Sequence, residues 1–147
     1  MSKRLRFPLD TNILIPLQDS YVALKSSLPH FVRLAGTGGH QLLYHPVTKL
    51  DIERDKDEAR RHRTLIRLQQ YEELTNVSSS HLNTTETSDN DRCDNDILHA
   101  LECSAVHALI TEDKGIHNKA RKLGLISRVY NIQTAEDWLR RLHETTE

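Results

Sequence analysis

Apolar positions along this chain come in two rhythms. Short continuous runs alternate with longer segments in which apolar residues recur every three or four positions. "RLRFPL" (4–9) reads as a first strand, its end weakened by Pro8, which has no N–H to give to a ladder. "NILIPLQDSYVALKSSLPHFVRLAG" (12–36) reads as two helical pieces, "GTGG" (36–39) as a helix-to-strand turn, and "HQLLYHP" (40–46) as a second strand. Residues 48–74 have few breakers and predict one long helix; "TNVSS" (75–79) is a polar third strand. "NDILHALECSA" (95–105) predicts a helix, "VHALIT" (106–111) a buried fourth strand, and "KGIHNKARKLG" (114–124) a helix stopped by Gly124. "ISRVYNI" (126–132) is a fifth strand, and "TAEDWLRRLHETT" (134–146) a last helix with Thr134 and Asp137 at capping-box spacing.

Strands separated by helices predict an α/β fold with a parallel sheet covered on both faces, and residues 1–147 form a single domain without repeats or linkers. The polar stretch 78–96 is the one long loop-like segment, a length usually tied to function or mobility. Ligands of open α/β sheets bind beyond the carboxyl ends of the strands.

Acids gather at that edge. Asp10 follows the first strand and Asp113 the fourth; Asp51 falls in the first turn after the second strand, from which a side chain can point back. In "DRCDND", Asp94 precedes Ile97, Leu98 and Leu101 by three, four and seven residues and so extends the inward stripe of its helix, whereas Asp96 aligns with His99, Ala100 and Cys103. Converging carboxylates repel unless a cation neutralises them, and oxygen-only donors suit Mg²⁺ or Mn²⁺. One or two such ions can align and activate a water and stabilise charge on a phosphodiester. The plainer alternative is that each Asp caps its own helix; Thr48 and Asp51 have capping-box spacing.

The bulk numbers narrow the class. The chain is 37% hydrophobic and 28% charged, with net charge −1, so it is not a globally basic nucleic-acid binder. No apolar run reaches a membrane span, no signal-like segment opens the chain, and two cysteines build no disulfide framework; a cytoplasmic protein is expected.

At these residues the sequence resembles the PIN-domain nucleases. "LDTNILI" resembles that family's first motif, with Asp10 as its first acid and Asn12 close by; "LITEDKG" resembles its fourth-strand motif; "DRCDNDILHAL" resembles an Asp-x-x-Asp-Asn variant, with Asp94 on the metal side and Asp91 accessory. Asp51 stands where the family usually has Glu, and Glu53 is its rival. The resemblance spans nearly the whole chain. It implies a three-layer α/β/α fold, a five-stranded parallel sheet in the order 3-2-1-4-5, Mg²⁺ or Mn²⁺, and cleavage of single-stranded RNA, with DNA as the other possible substrate. Many relatives are VapC-type toxins paired with an antitoxin, others act in RNA processing, and some members have lost activity; an antitoxin and a second copy of the chain are the candidate protein partners. Asp10, Asp51, Asp94 and Asp113 are then the expected ligands, with Asn12, Asp96 and Thr111 orienting them.

On the substrate side, Arg54, Lys56, Arg60, Arg61, Arg63 and Arg67 run outward from Asp51, and of these Arg54 and Arg61 are the candidate phosphate contacts. Asp55, Asp57 and Glu58 on the same segment offer salt bridges instead. Lys114, beside Asp113, is the best single phosphate contact, and the 5% aromatic content gives no platform for stacking bases. Cys93, His99, Cys103 and His107 hold no CxxC pair, and His107 belongs to the next strand, which counts against zinc. A phosphoacceptor receiver domain would want a Lys after the fifth strand, and "VYNIQT" has none.

Overall fold

A computed structural model describes residues 5–18, 27–75 and 77–145. The junction between the two helical pieces expected over 12–36 lies outside the described residues. In chain order the elements are β1 (Arg6–Pro8), α1 (Thr11–Gln18), α2 (Ser27–Thr37), β2 (Gln41–Tyr44), α3 (Pro46–Glu53), α4 (Glu58–Leu68), β3 (Glu72–Glu73), α5 (Asp89–Glu102), β4 (Leu109–Ile110), α6 (Lys114–Lys122), β5 (Val129–Tyr130) and α7 (Ile132–Thr145). A 3-10 turn, Ile126–Arg128, leads into β5. No helix among the described residues is long and apolar enough to cross a membrane.

The fold is mixed α/β with parallel pairing throughout, but not one five-stranded sheet. β1, β2 and β3 form a three-stranded sheet in the order β1-β2-β3, and β4 pairs with β5 separately. Between β1 and β4 there is a single parallel bridge, Leu9 to Ile110. The cause is legible in the hydrogen bonds. Leu5 and Leu9 bond toward β2, through Gln41 N–H to Leu5 O (2.8 Å) and Leu9 N–H to Leu43 O (2.9 Å). Arg6 and Asp10 bond toward β4, through His107 N–H to Arg6 O and Asp10 N–H to Ile110 O, both 3.1 Å. Alternate residues face alternate neighbours, so Pro8 faces β4 and has no N–H to give. The seam loses a ladder bond at its centre.

Three further expectations are corrected. The third strand is Glu72–Glu73, not 75–79. The long helix over 48–74 is broken at 54–57: Asp57 takes an extended backbone and its side chain accepts from Arg60 N–H (3.0 Å), starting α4 afresh. The last helix begins at Ile132, with Asn131 and Thr134 capping each other, Asn131 N–H to Thr134 Oγ1 at 3.0 Å and Thr134 N–H to Asn131 Oδ1 at 2.8 Å, so Asp137 is no part of its cap. Gly124, at φ +75°, ends α6 as the sequence indicates.

Two apolar clusters form the core. One gathers Phe7, Leu9, Ile13, Leu14, Phe31, Tyr44, Ile110 and Leu139; the other gathers Leu43, Ile97, Leu98, Leu101, Leu109, Ile116 and Val129. Neighbours in sequence, Leu43 with Tyr44 and Leu109 with Ile110, fall in different clusters, as strand alternation demands. α5 and α6 therefore pack on one side of the strands and α1, α2 and α7 on the other, while the strand ends stay open between them.

Candidate functional site

Asp10 is the last residue before α1, and its carbonyl accepts from Ile13 and Leu14 to start that helix. The residue is 8% exposed. Oδ1 accepts from Thr11 N–H (2.9 Å) and Oδ2 from the Thr111 hydroxyl (2.7 Å). Burial pushes its pKa up, with Asp113 and Asp51 adding repulsion, while the Thr111 and Thr11 bonds oppose the rise. Thr111, fully buried after β4, is a hub: its Oγ1 also accepts from Asp113 N–H (3.1 Å) and from Asn12 Nδ2 (3.5 Å). Asn12 Oδ1 in turn accepts from Glu112 N–H (3.2 Å), so the starts of α1 and α6 are tied together. Asp113 caps α6 with Oδ1, 2.7 Å from Gly115 N, and is otherwise exposed.

Asp51 lies in the second turn of α3, not the first, because His45 is the cap and Pro46 the first helical residue. It makes no capping box with Thr48. Its Oδ2 accepts from the Thr11 hydroxyl (2.7 Å), and Arg54 Nη2 lies 3.4 Å from Oδ1. Asp94, half-buried on α5, lies 3.5 Å from Lys119 Nζ. Burial lifts the Asp94 pKa to about 6; Lys119 works against the rise, and Asp113 and Asp10 add to it. A cleft of about 400 Å³ is lined by Asp10, Thr11, Asn12, Thr48, Asp51, Asn90, Cys93, Asp94, Ile97 and Asp113. It sits where β1 and β4 end, and the four expected acids all border it.

Other expected residues lie elsewhere. Glu53 borders a separate hollow with Tyr44, Lys49 and His62, away from the acids. Asp96 is buried on the side of α5 that faces the preceding loop, where Oδ1 accepts from Ser80 N–H and Asn83 Nδ2, both at 2.8 Å. It anchors that loop and does not border the cleft. Asp91 is exposed beside the cleft, bound to Lys119 at 2.7 Å, which holds its pKa down. Arg61 turns away to Asp55 O (2.9 Å) and Glu58 (3.8 Å). Lys114 is exposed and borders none of the hollows described above.

Arg54 does stand at the rim, within 3.4 Å of both Asp51 and Asp89 and 3.2 Å from Cys93 Sγ. A second hollow shares Thr11, Asp51 and Asn90 with the cleft and adds Arg54, Asp55, Arg60 and Asp89. Thr11 and Lys119 are the contributors that sequence reasoning left without a role at the acids. Lys119 flanks the buried stripe of Ile116 and Ala120 on α6, a spacing that gives it away.

Divalent-ion chemistry fits the four carboxylates, whose donors are all oxygens; the raised Asp94 pKa comes first from burial, with repulsion from Asp113 and Asp10 a smaller contribution. The acids do not converge fully. Among the described residues, the cluster whose ligand atoms all lie within 4.8 Å of one another is His81, His99 and Glu102, outside the cleft. Mg²⁺ retains several waters and needs only one or two carboxylates, so wider spacing suits it. The chain matches no protein-family model and no curated protein.

Proposed function

We propose that this chain is a PIN-like, metal-dependent endonuclease that hydrolyses phosphodiester bonds in single-stranded RNA. One observation carries the proposal: carboxylates from four separate segments, at residues 10, 51, 94 and 113, border one cleft at the carboxyl ends of β1 and β4. The proposal reads the two sheets as one interrupted sheet in the order 3-2-1-4-5 within three α/β/α layers, a reading that the Leu9–Ile110 bridge supports.

Asp10, Asp94 and Asp113, with Asp51 opposite, would hold one or two Mg²⁺ or Mn²⁺ ions. Such an ion supplies Lewis acidity toward the phosphoryl oxygen and acidifies a water for attack. The chain's residues prepare the ground. Thr111 fixes the Asp10 carboxylate, Asn12 ties the two cleft walls, and Lys119 restrains Asp94. Arg54, along the adjoining hollow, supplies a cation for a flanking phosphate, and the low aromatic content makes base selection weak.

A second reading, a PIN-like module that binds nucleic acid or protein without turnover, is favoured by the wide acid spacing and by the commitment of Asp113 to a cap and of Asp51 to Thr11. Asp10→Asn separates the two. Under the nuclease reading it lowers Mn²⁺-dependent cleavage of single-stranded RNA by at least about 100-fold, a loss of roughly 3 kcal/mol in transition-state stabilisation, with an unchanged circular-dichroism spectrum. Parent protein that binds RNA or DNA but never cleaves either with Mn²⁺ establishes the binding module.

A further inference from the structure

A different group of donors lies at the other end of α5. His99, in the helix's last turn, presents Nδ1 to Glu102 Oε1 at 3.4 Å. His81, from the loop before the helix, brings Nδ1 to within 3.9 Å of the same oxygen. The two imidazoles meet edge to face with ring centres 6.1 Å apart. The three ligand atoms lie within 4.8 Å of one another. The Nε2 of His99 is engaged on its far side by Ser78 Oγ at 3.1 Å, the kind of bond that fixes ring orientation in a ligating histidine. His99 is largely shielded, its side chain 17% exposed, while His81 and Glu102 open to solvent at 65% and 39%.

We infer that His81 Nδ1, His99 Nδ1 and Glu102 bind a late first-row divalent ion, zinc foremost, with water completing the shell. Two imidazoles and one carboxylate are a donor set for Zn²⁺ or its neighbours and a poor one for Mg²⁺. The cleft has the opposite preference. Cys103 Sγ approaches the same ring, 3.4 Å from His99 Nε2 and 4.0 Å from Nδ1, but does not belong to the set of donors that lie within 4.8 Å of one another.

The site has a structural consequence. The loop over 78–88 is already fastened along α5 by Ser80 and Asn83 to Asp96, by Asn83 Oδ1 to Asn95 Nδ2 (3.1 Å) and by Arg92 to the carbonyls of Thr84 and Thr87. An ion on His81 adds a fastening at the helix's C-terminal end. It links a loop that leads into the cleft-lining start of α5 to the end of that same helix, independently of any chemistry in the cleft.

The test is calorimetric titration of the metal-free full chain with Zn²⁺, in the parent and in Asp10→Asn/Asp94→Asn, which weakens the cleft. Both bind one Zn²⁺ tightly at this site, and Co²⁺ in its place gives the visible absorption of a four-coordinate ion. Each of His81→Ala and Glu102→Gln, both at exposed positions, lowers Zn²⁺ affinity by at least about 100-fold, more than loss of an outer-shell partner. Neither changes Mn²⁺ affinity or the circular-dichroism spectrum, and Cys103→Ser keeps the one-to-one Zn²⁺ stoichiometry. No tight Zn²⁺ binding by Asp10→Asn/Asp94→Asn, unchanged affinity in both His81→Ala and Glu102→Gln, or loss of binding in Cys103→Ser overturns the assignment.

Discussion

His45 does two jobs that protonation sets against each other. Its Nδ1 accepts from Val47 N–H (3.1 Å) to cap α3, so its own proton sits on Nε2, which is buried without a partner. Adding a second proton breaks the cap and buries a charge. Burial lowers the His45 pKa to about 4, with Asp96 pulling weakly the other way. The folded value lies below the unfolded one of 6.5, so between them the unfolded chain binds the proton and the folded chain does not. The contribution is complete above pH 6.5, is lost as pH falls toward 4, and then levels off. At 1.36 kcal/mol per unit this amounts to about 3 kcal/mol. His45→Asn keeps an acceptor at the cap but does not titrate, so urea unfolding from pH 7 to 4 shows a shallower acid limb than in the parent. The second acid is a question at the same scale. Asp51 borders the cleft and Glu53 another hollow, so Asp51→Ala lowers Mn²⁺ affinity at least about tenfold, while Glu53→Ala leaves it within about twofold. The reverse result makes Glu53 the ligand.

At the scale of elements, helices were legible where apolar period and cap agreed. α6 runs from Asp113 to a stop at Gly124 as its pattern indicates, and Asp94 extends the stripe of Ile97, Leu98 and Leu101 toward the cleft. The sequence misled where a local side chain competed with the helix. Nothing in the apolar period over 48–74 marks the break at Asp57; the break comes from Asp57 capping Arg60 and from Asp55 gripping Arg60 at 2.6 and 2.9 Å, a pairing that holds the Asp55 pKa down at about 2. The same competition engages Arg61 with Asp55 O and Glu58. Asp96 was the harder case, because its partners, Ser80 and Asn83, lie in a loop that no periodicity describes. Its role is now separable from that of Asp94. Asp96→Ala leaves the buried Ser80 amide without an acceptor and costs about 2–3 kcal/mol in urea unfolding, with faster amide exchange at Ser80. Mn²⁺ affinity stays within about threefold, since the residue borders no part of the cleft.

For the molecule as a whole, the cleft depends on a seam. β1 and β4 carry Asp10 and Thr111 at their ends, yet the strands share one bridge because Pro8 offers no donor there. What the backbone omits, side chains replace: the Thr111 hydroxyl donates to Asp10 and accepts from Asp113 N–H and Asn12, and Asn12 accepts from Glu112 N–H. The seam and the acid cleft are thus built from the same bonds, so on the proposed reading a change at the seam alters both stability and ion affinity. Thr111→Val keeps shape and removes the hub. It leaves Asp113 N–H without its acceptor and the Asp10 carboxylate held only by the Thr11 amide. The expected costs are about 1–3 kcal/mol in urea unfolding and a 10- to 100-fold loss of Mn²⁺ affinity by calorimetry. A stability loss with unchanged Mn²⁺ affinity separates the seam from the ion site, and then Asp10 is a structural acid whose orientation the cleft does not use.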